Sequence, residues 1–147
     1  MHPFPHTYRV YARDEREDTV SVETASVSTL ETAAPPEFDG PGGHWSPETL
    51  LVASVADCYA MSFRAVARAS KLEWTRLGVE VEGVLDRVEG VNRFVRFTVK
   101  PVLTIDSEGD RKRAQLAVEK AERVCLVTNS LTAEVVLEPE ITVAETA

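Results

Sequence analysis

Two cysteines among 147 residues, with no C-x-x-C pair, leave little support for a structural zinc site. Histidine is nearly as scarce. His2, His6 and His44 all precede both cysteines, so a serine or cysteine hydrolase would have only His44 as a reasonable base. Positive charge is in the minority, with 16 Lys and Arg against 24 Asp and Glu and a formal net charge of -8. Nucleic acid and anionic membrane surfaces both require basic patches, so neither is an expected partner. No apolar run approaches the ~20 residues that span a bilayer. The opening MHPFPHTYRV lacks the charged-then-apolar order of a secretory signal, so the expected compartment is the cytoplasm. A permanent disulfide is not expected there; reversible redox chemistry, metal binding and plain packing remain. Internal repeats, low-complexity tracts and a composition break are also missing, so residues 1–147 read as one domain large enough for a real core.

What is present is organised around SPETLLVASVADCYAMSFRAVARAS, residues 46–70. Ser46 can cap a helix, Pro47 suits its first position, and Glu48 places a carboxylate in the first turn. From Leu50 to Phe63 the residues are apolar or small nearly all round, without the polar stripe of a surface helix. The expectation is therefore a helix buried on most sides, in a domain centre or between subunits. Cys58 sits in its middle.

Ahead of it, residues 7–13 and 19–30 alternate as strands around the charged tip Asp14–Asp18. Residues 31–45, with three prolines and three glycines, predict an irregular loop. Behind the helix, Leu77–Val88 and Phe94–Leu103 alternate apolar and charged residues about a turn at 89–92, which predicts an antiparallel hairpin. Pro101 suits an edge or strand-end position. An amphipathic helix follows, from Asp106 or Ser107 to about Val124, with Cys125 in its last turn. Leu131–Val143 closes the chain as a strand interrupted at Pro139. The order predicts an α+β fold with antiparallel sheet. On this reading Cys58 and Cys125 are either small core residues or a pair of redox thiols, one on each helix and close enough to bridge.

One combination of residues resembles a known family. Pro47, Glu48 and Leu50, then Ala56 and Cys58, then Lys120, Ala121, Cys125, Val127 and Ser130 resemble the pattern of the OsmC/Ohr family, the osmotically inducible protein C and organic hydroperoxide resistance proteins. The resemblance spans roughly residues 7–143. It implies antiparallel sheets around central helices in an interlocked homodimer, and a thiol peroxidase for organic hydroperoxides with no metal or other cofactor. By position, Cys58 is the peroxidatic and Cys125 the resolving cysteine, and Glu48 is the carboxylate that orients an arginine near the reactive sulfur. The family's arginine position falls here on Glu15, flanked by Arg13 and Arg16, of which Arg16 is the preferred candidate. Leu126 stands where members often carry proline.

The nucleophile in such chemistry is a thiolate, which an apolar helix disfavours and a nearby guanidinium favours. A sulfenic acid on Cys58 would condense with Cys125 and be reset by a dithiol, for which the resemblance suggests a lipoyl-type reductant. Ten residues separate Glu48 from Cys58, about 15 Å on a straight helix. If both serve one site, the helix breaks or the glutamate comes from a partner's helix. Phe38, Trp45, Met61 and Phe63 are candidates to hold an apolar hydroperoxide. The alternative is a non-catalytic protein of the same fold that binds a small apolar ligand at the dimer interface.

Overall fold

A computed structural model describes residues 1–145, whose contacts divide into two units, Met1–Leu50 and the chain from Leu51 onward. In the first unit, β1 (Tyr11–Asp14), β2 (Val20–Glu23) and β3 (Leu30–Thr32) form an antiparallel sheet in chain order. The charged tip lies where it was expected, since Asp14 pairs with Val20 across it. The strands are shorter than the alternation predicts. Pairing ends at Tyr11 opposite Glu23, and residues 19–30 are not one strand but two, separated by a turn at Ala25–Ser26 with Ser26 at φ 64. That turn contains no Gly, Pro, Asn or Asp, and Ser26 is only a weak turn signal. The loop after β3 holds one helical turn, Pro36–Phe38, and returns to β3 through Ala33 N–H donating to the Trp45 carbonyl at 3.0 Å.

Helix α1 (Pro47–Ser70) begins as predicted. Buried Ser46 accepts the Thr49 backbone N–H at 3.1 Å through Oγ, and its own N–H donates to Thr49 Oγ1 at 2.9 Å. This reciprocal pair satisfies two donors that a helix start otherwise leaves open. By length and composition alone α1 could cross a bilayer, contrary to the expectation that no such run exists. Ser54, Asp57 and Ser62 interrupt the apolar run without breaking the helix.

In the second unit, β4 (Trp74–Val88) and β5 (Val91–Ile105) form a long antiparallel hairpin. Its turn is tighter than predicted: Glu89 and Gly90 alone connect Val88 to Val91, at φ 51 and 81. Two successive left-handed residues match the twist of the flanking strands. The 3-10 turn Glu108–Asp110 precedes α2 (Arg111–Arg123), so the helix starts later than Asp106. After it come α3 (Leu126–Asn129), β6 (Glu134–Leu137) and β7 (Glu140–Val143). Both closing strands pair parallel to β5, making the sheet mixed rather than purely antiparallel.

Pro101 occupies the middle of central strand β5, not an edge. It is tolerated because β6 pairs with β5 only up to Val99 and β7 only from Val102. The interruption at Glu138–Pro139 faces the residue that has no N–H to give.

Phe97, Val99, Leu103 and Ile105 alternate along β5 and join Val55, Tyr59, Phe63, Val66 and Ala67 of α1 in the core. Ala114, Ala117, Val118 and Ala121 bring in α2, their small side chains allowing close approach. Within one chain, burial on α1 follows one stripe. Met61, on the other side, is 58% exposed.

Candidate redox site

The second unit brings the two cysteines together. Cys58 is half-buried on α1, and Cys125 is buried at the joint between α2 and α3; both are free thiols. Cys125 is not in the last turn of α2, as expected, but beyond it, with extended backbone at φ -66 and ψ 105. Val124 closes α2, and the chain turns sharply into α3, which directs the Cys125 side chain toward α1. Burial pushes the Cys125 thiol up from its ordinary value. Thr128 close by acts in the opposite direction, and the Cys58 thiol beside it pushes it up further.

Two residues that the sequence reading did not single out build this corner. Tyr59, beside Cys58, buries its ring in the core while its hydroxyl donates to the Val118 carbonyl of α2 at 3.0 Å. That bond ties the helix bearing Cys58 to the helix leading to Cys125. Burial, then Glu122 and Cys125, push the Tyr59 phenol far above its ordinary range. The available signal was Tyr59's place in the Val55–Tyr59–Phe63 stripe, since a buried tyrosine needs a partner for its hydroxyl. Thr128 is also buried, and its Oγ donates to the Cys125 carbonyl at 3.1 Å. A hydroxyl three residues after a cysteine at a helix start was its signal.

The first unit holds Glu48, Phe38, Trp45, Arg13 and Arg16. Glu48 lines a cavity of about 330 Å³ together with Ala12, Val22, Thr32 and Phe38, so two predicted residues share one space. One Glu48 carboxylate oxygen is buried with no hydrogen-bond partner among the described residues. Trp45 lines a different cavity, with Glu31, Gly43, His44 and Thr49. Arg13 is engaged by Glu23 at 3.4 Å and Glu15 at 3.8 Å. Arg16, at φ 65, forms no ion pair among the described residues, and its backbone N–H donates to Asp14 Oδ1 at 2.8 Å. Of the remaining predicted residues, Met61 is exposed on α1, and Phe63 is fully buried with its ring edge-on to Trp74 at 5.4 Å. Among the described residues no group of three or more His, Cys, Asp or Glu side chains could hold a metal.

Residues 40–140, a stretch that contains both thiols and Glu48, match the family model described as OsmC-like protein. The chain belongs to that family. An uncharacterized protein of Bacillus subtilis (strain 168), YmaD, is 28% identical to this OsmC-like chain over 131 residues, 87% of each. An OsmC-like protein of unknown function from Vibrio cholerae superposes with a TM-score of 0.80 at 18% identity, over 92% of this chain and 99% of that one, which speaks for the fold alone. A Legionella pneumophila structure superposes at 0.72 with 25% identity, covering 95% and 99%. That protein is described as an organic hydroperoxide resistance protein OsmC and a predicted redox protein. Membership in the OsmC-like family is thus shown for this chain, and proteins associated with hydroperoxide resistance are among its structural neighbours.

Proposed function

We propose that this OsmC-like protein reduces organic hydroperoxides to alcohols through Cys58 and Cys125. The observation that carries the reading is the unequal pair of free thiols: Cys58 half-buried, Cys125 only 1% exposed and beside it. A peroxide must reach the sulfur it oxidises, which assigns first attack to Cys58. Attack of the Cys58 thiolate on the peroxide breaks the O–O bond, leaving Cys58 as a sulfenic acid and releasing the alcohol. Cys125 then attacks that sulfur, water leaves, and a disulfide forms before over-oxidation. An external dithiol, of lipoyl type by the family resemblance, returns both thiols by exchange.

Arg16 is the cation of this scheme and Glu48 its orienting carboxylate. The unpartnered oxygen of Glu48 supports the need for a cation there, and the engagement of Arg13 by two glutamates favours Arg16 over Arg13. Helix α1 is continuous, so the break that would let one helix supply both Glu48 and Cys58 is absent. The reading therefore takes Glu48 from a second copy of the chain in a homodimer, whose helix would also cover the apolar side of α1 that carries Met61. Phe38 and the apolar lining of its cavity would take the hydrocarbon of the substrate. Phe63 contributes core packing behind Cys58.

The test is consumption of cumene hydroperoxide or tert-butyl hydroperoxide with a dithiol. Wild type should turn over and Cys58→Ser should not; an inert wild type removes the peroxidase reading. The apolar cavity around Phe38 supports a second reading, a non-catalytic binder of a small apolar ligand. On that reading both cysteines stay reduced after mild peroxide, and ligand binding survives Cys58→Ser.

A further inference from the structure

We propose that Tyr59 is a positioning residue for disulfide closure: its hydrogen bond to the Val118 carbonyl holds α2 against α1 where Cys125 can reach Cys58. The inference rests on the peroxidase reading above and deepens it, by assigning a residue to the resolving step.

Packing alone does not fix that placement. α2 turns Ala114, Ala117, Val118 and Ala121 toward the core, and burial of small apolar side chains is non-directional, so it favours contact without selecting one register. A hydrogen bond does select. The Tyr59 hydroxyl reaches the Val118 carbonyl at 3.0 Å, and among the described residues this is the one side-chain hydrogen bond joining α1 to α2. The Arg113 bond at 3.4 Å goes to the Lys71 carbonyl, beyond the end of α1.

Each end of the bond is joined through helix to one thiol. Tyr59 follows Cys58 directly on continuous α1, and Val118 lies two turns before Cys125, about 10 Å along the axis of α2. A slide of one residue, about 1.5 Å, would stretch or bend the bond toward its limit of about 3.5 Å. The same slide exceeds the roughly 1 Å window of Cβ separation that a disulfide accepts. The bond and the disulfide thus tolerate displacements of similar size. The acceptor does not depend on the hydroxyl, because the Val118 carbonyl lies inside α2, where the helical N–H ladder serves it. Tyr59→Phe therefore removes the restraint and leaves no buried carbonyl unpaired.

The test uses the full chain and needs no peroxide in its first arm. Reduced protein is equilibrated with oxidised dithiothreitol, which takes up two electrons and two protons as the Cys58–Cys125 disulfide forms. The closure constant is read by thiol alkylation and mass spectrometry. A restraint that pre-orders the pair lowers the cost of closing it. Tyr59→Phe should lower the constant about threefold, within the roughly two- to tenfold that a neutral hydrogen bond contributes. Tyr59→4-aminophenylalanine, whose amine can donate to the same carbonyl, should restore it. Ile105→Val trims a buried side chain on β5 at a comparable cost in stability and should leave the constant unchanged. With one molar equivalent of tert-butyl hydroperoxide, Tyr59→Phe should also close more slowly and leave more sulfenic acid trapped by dimedone. First attack, measured in a Cys125→Ser background, should keep its rate. An unchanged constant in Tyr59→Phe, or an equal fall in Ile105→Val, overturns the proposal. A wild-type chain that closes with oxidised dithiothreitol but consumes no hydroperoxide overturns the peroxidase reading and leaves the role of Tyr59 in closure standing.

Discussion

Gly83 sets how closely α1 lies on the sheet, and Gly83→Ala should show it. A Cβ at this position would lie 2.7 Å from Val52 Cγ2, 2.9 Å from Phe94 Cε1 and 3.1 Å from Phe97 Cε1. Carbon atoms prefer about 3.5–4.0 Å, so these contacts are short by roughly 0.4–1.3 Å, the Val52 contact most. Relief is restricted on the sheet side because Phe97 is fully buried and stacks on Phe94 with centroids 5.1 Å apart. The remaining route is to lift α1 at Val52, six residues before Cys58. Overpacking of this kind costs about 1–3 kcal/mol. Gly78 in the same strand is the control, since a Cβ there meets nothing within 4 Å. Gly78→Ala should be neutral or stabilising by about 0.4–1 kcal/mol, through a less flexible unfolded chain. Urea denaturation followed by tryptophan fluorescence separates the two. If Gly83→Ala falls within about 0.5 kcal/mol of Gly78→Ala, the helix does not rest on that glycine.

Two further outcomes follow from the same corner and from the helix start. Ser46→Ala should cost about 1 kcal/mol by urea denaturation, and Ser46→Asp should recover most of it, because either side chain can accept the Thr49 N–H; equal losses for both would count against the cap. Reduced protein should lose stability as pH rises above about 9, because Cys125 holds its proton more tightly folded than unfolded, so the unfolded chain binds fewer protons in that window. Below the ordinary thiol value of 9.0 this contribution is fully present, and above it the loss is at most about 1.4 kcal/mol per pH unit. Tyr59, also shifted upward, adds a second loss beginning near its ordinary value of 10.0. Cys125→Ala should remove the first component and Tyr59→Phe the second, as differences in urea midpoint across this range. Identical slopes in wild type and both variants would contradict the burial argument.

The large elements were legible where one physical signal dominated. Ser46, Pro47 and Glu48 marked the start of α1, and period-two alternation marked β4 and β5. Readings failed where a partner strand or a local bend made the decision. Pro101 looked like an edge residue because the sequence does not show that two short strands meet β5 on either side of it. The turn at Ser26 was missed because serine alone, without Gly, Pro, Asn or Asp beside it, is a weak turn signal inside an alternating run, and Cys125 was placed one step too early because helical spacing continues through Val124. At the site, the thiols were readable from their scarcity and from their likeness to a family pattern. Tyr59 and Thr128 gave only weak signals, because a hydroxyl's importance depends on which buried acceptor lies opposite it.

The central claim is that Cys58 takes oxygen from a hydroperoxide and Cys125 closes on it. Its most direct measurement is mass spectrometry of the reduced chain after one molar equivalent of cumene hydroperoxide, mapped without reductant. The account predicts a Cys58–Cys125 disulfide with a matching yield of cumyl alcohol, and, in Cys125→Ser, oxidation confined to Cys58. Two reduced cysteines alongside intact hydroperoxide would contradict it.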